Sequence, residues 1–559
     1  MTDRDALPFP VPARPALGAR LRDAVGILLR HPGDAVAIVK ARLSGKRVRA
    51  AQAGAALFGL DHHALRWPGG ERRRASVADV EGAGITVVLA DEIARPLSPD
   101  VAIVVLTATG HALADGAPTS LARAFAAHPD RFALYGDALV RSGDALLPVL
   151  RPAFDPDYLR AVDYIGPVVA FRRTALDAVG GLGALDPQAP AFDALLRLAA
   201  TFGAKAIAHL PAVLSFADDE SCATTPPAGE GGRDNLSARL RIVRQDLERA
   251  GQSDVGAIPA RDGVIAFARP LPDPPPRVSL IVPTRDRLDL LRPCIDSLIH
   301  RTDWPDREIL ICDNDSRDAQ TLAYLIELTR QGIARVVPCP GPFDFAAMNN
   351  RAAMQATGRV LAFINNDVTA TDPTWLDRMV REALRPEIGA VGARLIDGRG
   401  RIQHGGVILG PGGLVTHAHR FFPGEAPGYL SGLLATRRIS AVTAACLVVE
   451  SRKFAAVGGF DAAAFAVDFN DVDLCLRLNA AGYHSFYVGG AVLTHDEAAS
   501  RRWTEEAQTR HAREVATFKK RWGPLLAQDP HYHPGFDPDL GTYARLRPGW
   551  PGADPIAPR

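Results

Sequence analysis

The chain has 559 residues, a length that favours two or more domains over a single core. Apolar residues make up 47% of the sequence and charged residues 23%, which is typical of globular protein and argues against extensive disorder. The formal net charge of +1 gives no general attraction to nucleic acid.

Cysteine use and hydropathy indicate a cytoplasmic location. The six cysteines are scattered and form no Cys-x-x-Cys pair, which fits reduced thiols better than disulfides or a zinc site. No apolar run approaches the ~20 residues of a membrane span, and the polar start Met1–Asp5 is unlike a signal peptide.

Residues 1–75 are predicted to be a basic helical region. The pattern from Leu21 to Val48 is helical, with an interruption at His31-Pro32-Gly33, and residues 1–50 carry ten Lys/Arg against four Asp/Glu. Peripheral contact with the anionic inner membrane face is one interpretation, and a solvated helical face packed on the next domain is the other. The basic residues that would make this contact are Lys40, Arg42, Lys46, Arg47 and Arg49.

Residues 76–225 are predicted to form a first α/β domain. Two β-type runs, 85–89 and 101–106, precede a helical pattern at 120–128. The second run ends in Thr107-Ala108-Thr109-Gly110, which offers no carboxylate.

Short sequence segments from this domain recur about 280 residues later. Residues 171–181 match 449–460, Asp193–Arg197 matches Asp473–Arg477, and His209 is matched with His495. Two copies of one α/β unit are therefore expected. The first copy has Ala191 at the place of Asp471 and no acid at the place of Asp367, so it is expected to be degenerate and catalytically silent.

A linker region, 226–276, separates the two copies. Residues 236–250 are predicted to form a charged helix, and Pro270–Pro276 cannot continue a helix or a sheet. The second α/β domain is assigned to 277–525, and 526–559 is expected to be a tail that folds back.

Two strand ends in the second domain predict a nucleotide-sized cleft. One strand runs from Val278 into Thr284, Arg285 and Asp286, and the next ends at Asp313. Ligands of open α/β sheets bind beyond the carboxyl ends of strands, where Asp313 can accept from a base N–H or a ribose hydroxyl.

A third strand end predicts a metal site. Five apolar residues, Val360–Ile364, are followed by Asn365, Asn366 and Asp367. Such an oxygen-rich group suits Mg²⁺ or Mn²⁺ carrying a diphosphate. The alternative is an Asx turn that closes the strand.

Several motifs together resemble the family 2 inverting glycosyltransferases, particularly bacterial rhamnosyltransferase-like enzymes of O-antigen or capsular polysaccharide synthesis. They are Val-Pro-Thr-Arg-Asp at 282–286, Cys-Asp-Asn-Asp-Ser at 312–316, Phe-Asp-Phe-Ala-Ala-Met-Asn-Asn-Arg at 343–351, Phe-Ile-Asn-Asn-Asp-Val at 363–368, Gln-His-Gly-Gly-Val at 403–407 and Phe-Asn-Asp-Val-Asp-Leu-Cys-Leu-Arg at 469–477. Asn-Asn-Asp departs from the family's usual Asp-x-Asp and leaves one carboxylate at that strand end.

The resemblance implies an α/β GT-A fold, a nucleotide-sugar donor such as a UDP- or dTDP-sugar, a glycan or lipid-linked acceptor, and Mg²⁺ or Mn²⁺. By motif position, Asp367 and His495 would bind the metal and Asp471 would be the general base for the acceptor hydroxyl. The expected donor-binding residues are Pro283, Thr284, Arg285, Asp286, Asp313, Asn349, Arg351, Asn365 and Asn366.

Competing interpretations stay open at this point. Asp471 and Asp473 begin an apolar helix, so either could be a capping residue, and His495 could be structural. His404, His417 and His419 lie among glycines and favour an acceptor-side or lid loop over a second metal site. The whole chain could also be a non-catalytic nucleotide-sugar or glycan-binding subunit, whereas the nucleotide cleft speaks against a glycoside hydrolase.

Overall fold

The computed structural model describes residues 32–43, 47–58, 74–94, 96–142, 145–217, 230–496 and 504–537, with 541, 543, 545–547 and 550. The chain divides into two compact units. The N-terminal unit contains the described residues up to Ser253, together with Ala257–Ile265 and those from His533 onward. The second unit contains Asp254–Gly256 and Ala266–Tyr532.

The N-terminal unit is built on a seven-stranded sheet. Its strands are β1 (Ile85–Leu89), β2 (Ile103–Thr107), β3 (His111–Leu113), β4 (Ala133–Ser142), β5 (Ala145–Val149), β6 (Val169–Arg172) and β7 (Ile207–Ala217). Its helices are α1 (Pro32–Leu43), α2 (Arg47–Phe58), α3 (Val77–Gly82), α4 (Ala117–Ala127), α5 (Pro156–Ala161), α6 (Arg173–Ala178), α7 (Pro190–Phe202) and α8 (Glu230–Arg249). The strand order is β1-β2-β6-β4-β7-β3, with β5 paired to β4.

The second unit follows a short hairpin and contains a ten-stranded sheet. The hairpin is β8 (Gly256–Pro259) and β9 (Ile265–Ala268). The later strands are β10 (Val278–Thr284), β11 (Arg307–Asp313), β12 (Arg335–Pro338), β13 (Val360–Ile364), β14 (Val368–Ala370), β15 (Ile388–Ile396), β16 (Ile402–His404), β17 (Val407–Leu409), β18 (Val415–His417), β19 (Thr436–Ile439), β20 (Cys446–Glu450) and β21 (His484–His495). Eight strands of the sheet follow the order β12-β11-β10-β13-β20-β15-β21-β14, β16 pairs with β15, and β19 pairs with β21. Strands β17 and β18 form a separate two-stranded sheet.

The second unit also contains helices. They are α9 (Leu288–His300), α10 (Ala319–Arg330), α11 (Phe345–Ala353), α12 (Trp375–Ala383), α13 (Ser451–Ala456), α14 (Asn470–Ala480) and α15 (Glu505–Leu526). Asp318, Asp344 and Thr504 begin three of them by accepting a backbone hydrogen bond from the first turn. Leu291 of α9 and Trp375 of α12 are fully buried in the core that also contains β13.

The central strand of the second sheet is β13, as its apolar sequence predicts. All five of its residues are buried. It pairs in parallel with β10 and in antiparallel with β20, so it has a neighbour on both edges. Gly358 precedes it because a Cβ there would lie 2.6 Å from the backbone nitrogen of Ser279. The predicted α/β class is confirmed.

The two sheets share a series of pairings. In the N-terminal unit, β1-β2-β6-β4-β7-β3 pair successively as parallel, antiparallel, antiparallel, parallel and antiparallel. In the second unit, β10-β13-β20-β15-β21-β14 repeat the same series. The second sheet continues beyond β10 with β11 and β12, whereas β1 is an edge strand in the described part of the N-terminal unit.

Strand register corrects one sequence match. His495 pairs with Val368 of β14, and the equivalent pairing in the N-terminal sheet joins His111 to Ala217. Ala217 therefore corresponds to His495, and the match of His209 with His495 is wrong. His209 lies near the start of β7, beside Tyr135.

No helix in the described part of the chain is long and apolar enough to cross a bilayer. The predicted basic helical region is described only from Pro32, where α1 begins with proline in its first turn. Residues 21–31 and Lys46 lie outside the described residues, as do the side chains of Arg47 and Arg49.

Candidate active site

The ends of β10 and β11 meet as the sequence predicts. Thr284 is the direct parallel partner of Asp313. From the neighbouring strand end, the Asn366 side-chain amide donates to Thr284 Oγ1 over 3.0 Å. One oxygen of the Asp313 carboxylate accepts from the Ser316 amide at 3.2 Å. Three predicted donor-binding residues therefore lie together at one edge of the sheet.

Asp286 joins the two loops that follow β10 and β11. Its Oδ1 accepts from the Arg317 and Asp318 amides at 2.6 and 2.8 Å, and its own amide donates to Ser316. Asp286 has a left-handed φ of 53°, which these contacts hold in place. The structure thus gives Asp286 a role in shaping the site, while the preceding Arg285 is exposed.

Two further predicted residues come from α11. Asn349 is buried and donates to the Phe345 carbonyl, and its Oδ1 has no hydrogen-bond partner among the described residues. Arg351 donates to the carbonyl of Pro338, the residue that pairs with Asp313. The Arg351 guanidinium is thereby held beside the end of β12.

A tight turn closes β13. The Asn365 carbonyl accepts from the Val368 amide at 3.1 Å, so Asn366 and Asp367 occupy the centre of this turn. The Asp367 carbonyl accepts from the Asp496 amide, which ties the turn to the end of β21. The bond that closes this turn joins backbone groups, which makes it a β-turn, whereas the Asx turn given as the alternative is closed by a side chain.

Asp367 and His495 form a pair that suits a divalent cation. Asp367 Oδ1 and His495 Nε2 are 3.2 Å apart, and the two side chains are 10% and 6% exposed. Two ligands about 2.1 Å from one ion and at right angles lie about 3.0 Å apart, close to this separation. Asp367 Oδ1 is buried and has no hydrogen-bond partner in the described residues. These atoms therefore fit Mg²⁺ or Mn²⁺.

Asp471 lies in the first turn of α14. Its Oδ2 accepts from the Ala444 amide at 3.0 Å and its Oδ1 from the Val472 amide at 2.8 Å. The residue after Ala444 is Ala445, and its carbonyl accepts from the Asn365 amide. Two hydrogen bonds through residues 444–445 therefore connect Asp471 to the turn after β13. Burial raises the pKa of the Asp471 carboxyl above its ordinary value, against the opposing effect of these amides.

Asp473 has a different set of partners. It is fully buried and receives hydrogen bonds from Arg477 at 2.7 Å, Arg521 at 2.8 Å and Trp522 at 3.0 Å. Arg477 also donates to the Val457 and Gly459 carbonyls. Asp473 and Arg477 are therefore structural.

The three loop histidines do not form a metal cluster in the described residues. His404 and His417 face each other with their Nδ1 atoms 2.7 Å apart. Burial lowers the pKa of both imidazoles, to about 3 for His417, so the pair is neutral at physiological pH. His419 instead accepts from the Tyr429 amide at 2.9 Å.

A histidine cluster that the sequence did not predict lies in the N-terminal unit. Asp137 is 3.0 Å from His209 Nε2 and 2.9 Å from His533 Nε2. Candidate ligand atoms of all three residues lie within 4.8 Å. However, His533 Nδ1 accepts from the Gly535 amide, so the proton of the neutral ring is on Nε2. That proton faces Asp137, and this nitrogen then has no lone pair for a metal.

Two residues near the candidate site were also missed. Arg287 lies close enough to Asp367 for their charges to interact, which contributes to a raised Arg287 pKa; its bond to Asp289 is the main cause. Glu514 of α15 binds the loop that precedes α14. Glu514 has no distinctive sequence pattern, because charged residues on helices usually face solvent, and Arg287 lies in the loop before α9.

A comparison with known families matches residues 279–416 to the model "Glycosyl transferase family 2". The uncharacterized protein y4gI of Sinorhizobium fredii is 36% identical over 440 residues, 76% of this chain and 47% of that protein. The O-antigen biosynthesis protein RfbC of Myxococcus xanthus is 36% identical over 436 residues, 77% of this chain and 33% of that protein. The chain thus spans half or less of these curated relatives.

More distant similarities include an N-acetylglucosaminyl-diphospho-decaprenol L-rhamnosyltransferase of Mycobacterium tuberculosis. It is 28% identical over 222 residues, 34% of this chain and 67% of that protein. Among solved structures, a mannosyltransferase of Pyrobaculum calidifontis with GDP-Man and Mn²⁺ matches with a TM-score of 0.33 and 18% identity, covering 47% of this chain and 68% of that one. GalNAc-T7 with UDP, GalNAc and Mn²⁺ matches with a TM-score of 0.37 and 15% identity, covering 52% and 57%.

The family match begins in β10 and ends in β18, so it includes the strand ends that carry Thr284, Asp313 and Asp367. These strands belong to the mixed sheet of the second unit. Residues 279–416 therefore form a family 2 glycosyltransferase domain, and the unit that contains them has the α/β GT-A fold.

Proposed function

We propose that the chain is an inverting glycosyltransferase that moves a sugar from a nucleotide-sugar donor to a hydroxyl of a glycan or lipid-linked acceptor. The observation that carries this proposal is the joint placement of Asp367, His495 and Asp471 around the turn after β13. The similarity to an O-antigen biosynthesis protein supports a role in cell-surface polysaccharide synthesis.

The donor would lie along the ends of β10, β11 and β13. Asp313 and Thr284 would hold the nucleoside of a UDP- or dTDP-sugar, and their direct strand pairing and the Asn366 bond to the Thr284 hydroxyl support this assignment. Asp367 and His495 would hold Mg²⁺ or Mn²⁺, which when bound supplies positive charge to the departing diphosphate. Arg287 adds a second positive charge near Asp367.

Asp471 is the proposed base. Its raised pKa strengthens the carboxylate as a proton acceptor for the attacking hydroxyl, and the Ala444 and Val472 amides fix its orientation. Because one displacement transfers the sugar, the anomeric configuration inverts.

The test is Asp471→Asn, which keeps the size of the side chain and removes its basicity. We expect donor affinity to stay unchanged and turnover to fall about 10² to 10⁴-fold, the usual contribution of general base catalysis. Product configuration is read by NMR on the wild type. Retained turnover in the variant, or a product with the configuration of the donor, would overturn the proposal.

We further propose that the N-terminal unit is a degenerate GT-A-like copy, assigned to 76–225, joined through 226–276 to the catalytic domain at 277–525. The shared strand pairings support this. So does a matching ion pair: Arg197 bonds Asp193 at 2.9 Å and the Val179 carbonyl, as Arg477 bonds Asp473 and the Val457 carbonyl. Ala191 stands where the catalytic domain has Asp471, so this copy would act in structure or acceptor binding.

Peripheral contact with the cytoplasmic face of the membrane is the last part of the proposal. Helix α1 exposes Val36, Val39 and Leu43, which are spaced along one side of the helix. Lys40 and Arg42 are exposed on the same helix. An apolar stripe with nearby basic residues suits an anionic lipid surface. Vesicle sedimentation of wild type and Val39→Glu, with anionic and neutral lipids, tests this contact.

A further inference from the structure

Helix α15 holds the loop that precedes the candidate base. Glu514, which is fully buried on this helix, accepts from three successive backbone amides. These are the amides of Ala466 at 3.1 Å, Val467 at 3.4 Å and Asp468 at 2.6 Å. One carboxylate thereby fixes the direction of the chain three residues before Asp471.

The next residue, Phe469, has an unusual backbone. Its φ is 63° and its ψ is 3°, a left-handed conformation that costs energy for a residue with a large side chain. Its ring stacks on Phe518 and His511 of α15, with centroids 4.8 and 6.0 Å away. His511 also lies 3.0 Å from the Asp468 carboxylate. Helix α15 therefore maintains a conformation that the loop would not adopt alone.

The same helix contacts the chain after Asp471. Arg521 and Trp522 donate to Asp473 Oδ1 at 2.8 and 3.0 Å. Residues on both sides of Asp471 are thus attached to α15, while Asp471 itself bonds to the Ala444 and Val472 amides.

The N-terminal unit offers an internal comparison. Arg249 of α8 approaches Asp193 at 3.8 Å, as Arg521 of α15 approaches Asp473. Seven residues before Arg249 stands Ile242, which is fully buried, and seven before Arg521 stands Glu514. The unit that has Ala191 in place of the candidate base therefore has an apolar residue in place of Glu514. The buried acid at position 514 therefore occurs in the unit that has the candidate base Asp471.

We propose that Glu514 is a positioning residue for transfer: it fixes residues 466–469 and so aims the Asp471 carboxylate at the acceptor hydroxyl. This inference rests on the proposed function, in which Asp471 is the base. Glu514 acts through Asp471, so its effect on rate requires that Asp471 can accept a proton.

The test is a double-mutant cycle with Glu514→Gln and Asp471→Asn. Glutamine keeps the shape of Glu514 but turns one acceptor oxygen into a donor that faces a backbone amide. We expect the kcat of Glu514→Gln to fall about 10- to 100-fold, as a small misplacement of a catalytic group does, with donor affinity within about twofold of wild type. The double variant should be no slower than Asp471→Asn alone.

Glu505→Gln, on an exposed residue in the first turn of α15, is the matched control and should keep wild-type kcat. His511→Ala, at a side chain that is 36% exposed, gives a second variant that perturbs the loop with less risk to folding. It should lower kcat less than Glu514→Gln and also lose its effect in the Asp471→Asn background.

Two results would overturn the inference: a wild-type kcat in Glu514→Gln, or rate losses that multiply in the double variant. Both are distinguishable from failure of the proposed function. If the function is wrong, Asp471→Asn alone retains its rate. If only the inference about Glu514 is wrong, Asp471→Asn is slow, while Glu514→Gln either has a wild-type kcat or lowers kcat by the same factor in both backgrounds.

Discussion

Asp367 Oδ1 and His495 Nε2 lie 3.2 Å apart, although the two residues come from a turn after one strand and from the end of another. The antiparallel pairing of Val368 with His495 brings them together. The sheet thus fixes the separation of two candidate ligand atoms, so the proposed ion would bind with little rearrangement.

Replacing His495 should weaken metal-dependent donor binding. We expect His495→Ala to lower the affinity for donor in the presence of Mn²⁺ by about 10- to 100-fold, because one of two protein ligands is lost. Titration calorimetry with Mn²⁺ measures this. His511→Ala is a control for loss of an imidazole elsewhere, and its donor affinity should match that of wild type. Equal donor affinities in His495→Ala and wild type would exclude His495 as a ligand.

Asp313→Ala should weaken binding of the nucleoside part of the donor. Loss of a hydrogen bond to a charged group is worth about 1.5–3 kcal/mol, which corresponds to about a 10- to 100-fold loss of affinity. Asp306→Ala is the control, because Asp306 has an exposed carboxylate and lies just before β11, at the end of that strand opposite to Asp313. Binding of the free nucleoside diphosphate is the measurement, and an unchanged affinity in Asp313→Ala would contradict the assignment.

Turnover should depend on pH through Asp471. The base must be deprotonated, so the rate rises with pH as Asp471 loses its proton. Because burial raises its pKa, the acidic limb of the kcat/KM profile should lie above the ordinary aspartate value of about 3.9. The residual activity of Asp471→Asn should lack this limb. A limb that persists in the variant belongs to another group.

Asp193→Asn should destabilise the N-terminal unit without slowing catalysis. Asp193 is fully buried and bonds Arg197 and the Asp186 amide, so breaking the pair should cost about 3 kcal/mol of unfolding free energy. Asp177→Asn, which breaks the exposed pair with Arg173, should cost well under 1 kcal/mol. Thermal unfolding and turnover per folded molecule are compared. Loss of turnover in Asp193→Asn with unchanged melting would assign this unit a catalytic role.

The strand ends of the candidate site were predictable because they follow uninterrupted apolar runs. Val360–Ile364 is buried throughout, and the polar residues after it lie where ligands of such sheets bind. The sequence left open whether Asp471 or Asp473 caps α14, because both lie in the first turn of that helix. Asp473 takes the structural contacts, and the catalytic role of Asp471 stays a prediction.

Other features depended on register and on long-range contacts, which sequence periodicity does not reveal. The match of His209 with His495 rested on the shared histidine alone, because His209 lies 16 residues after Asp193 and His495 lies 22 residues after Asp473. Strand register instead places His209 near the start of β7, opposite Tyr135. Glu514 resembles a solvent-facing helical residue, and only the three amides that it binds distinguish it. His533 reaches Asp137 from a distant segment of the chain.

The most direct test of the account is donor binding by wild type and by Asp367→Ala across a panel of nucleotide sugars. Binding is measured by thermal shift and calorimetry, once with Mn²⁺ and once with a chelator. We expect at least one UDP- or dTDP-sugar to stabilise the wild type only when Mn²⁺ is present, and no such stabilisation in Asp367→Ala. Equal donor affinity with the chelator, or an unaffected Asp367→Ala variant, would contradict a metal-dependent glycosyltransferase site at the end of β13.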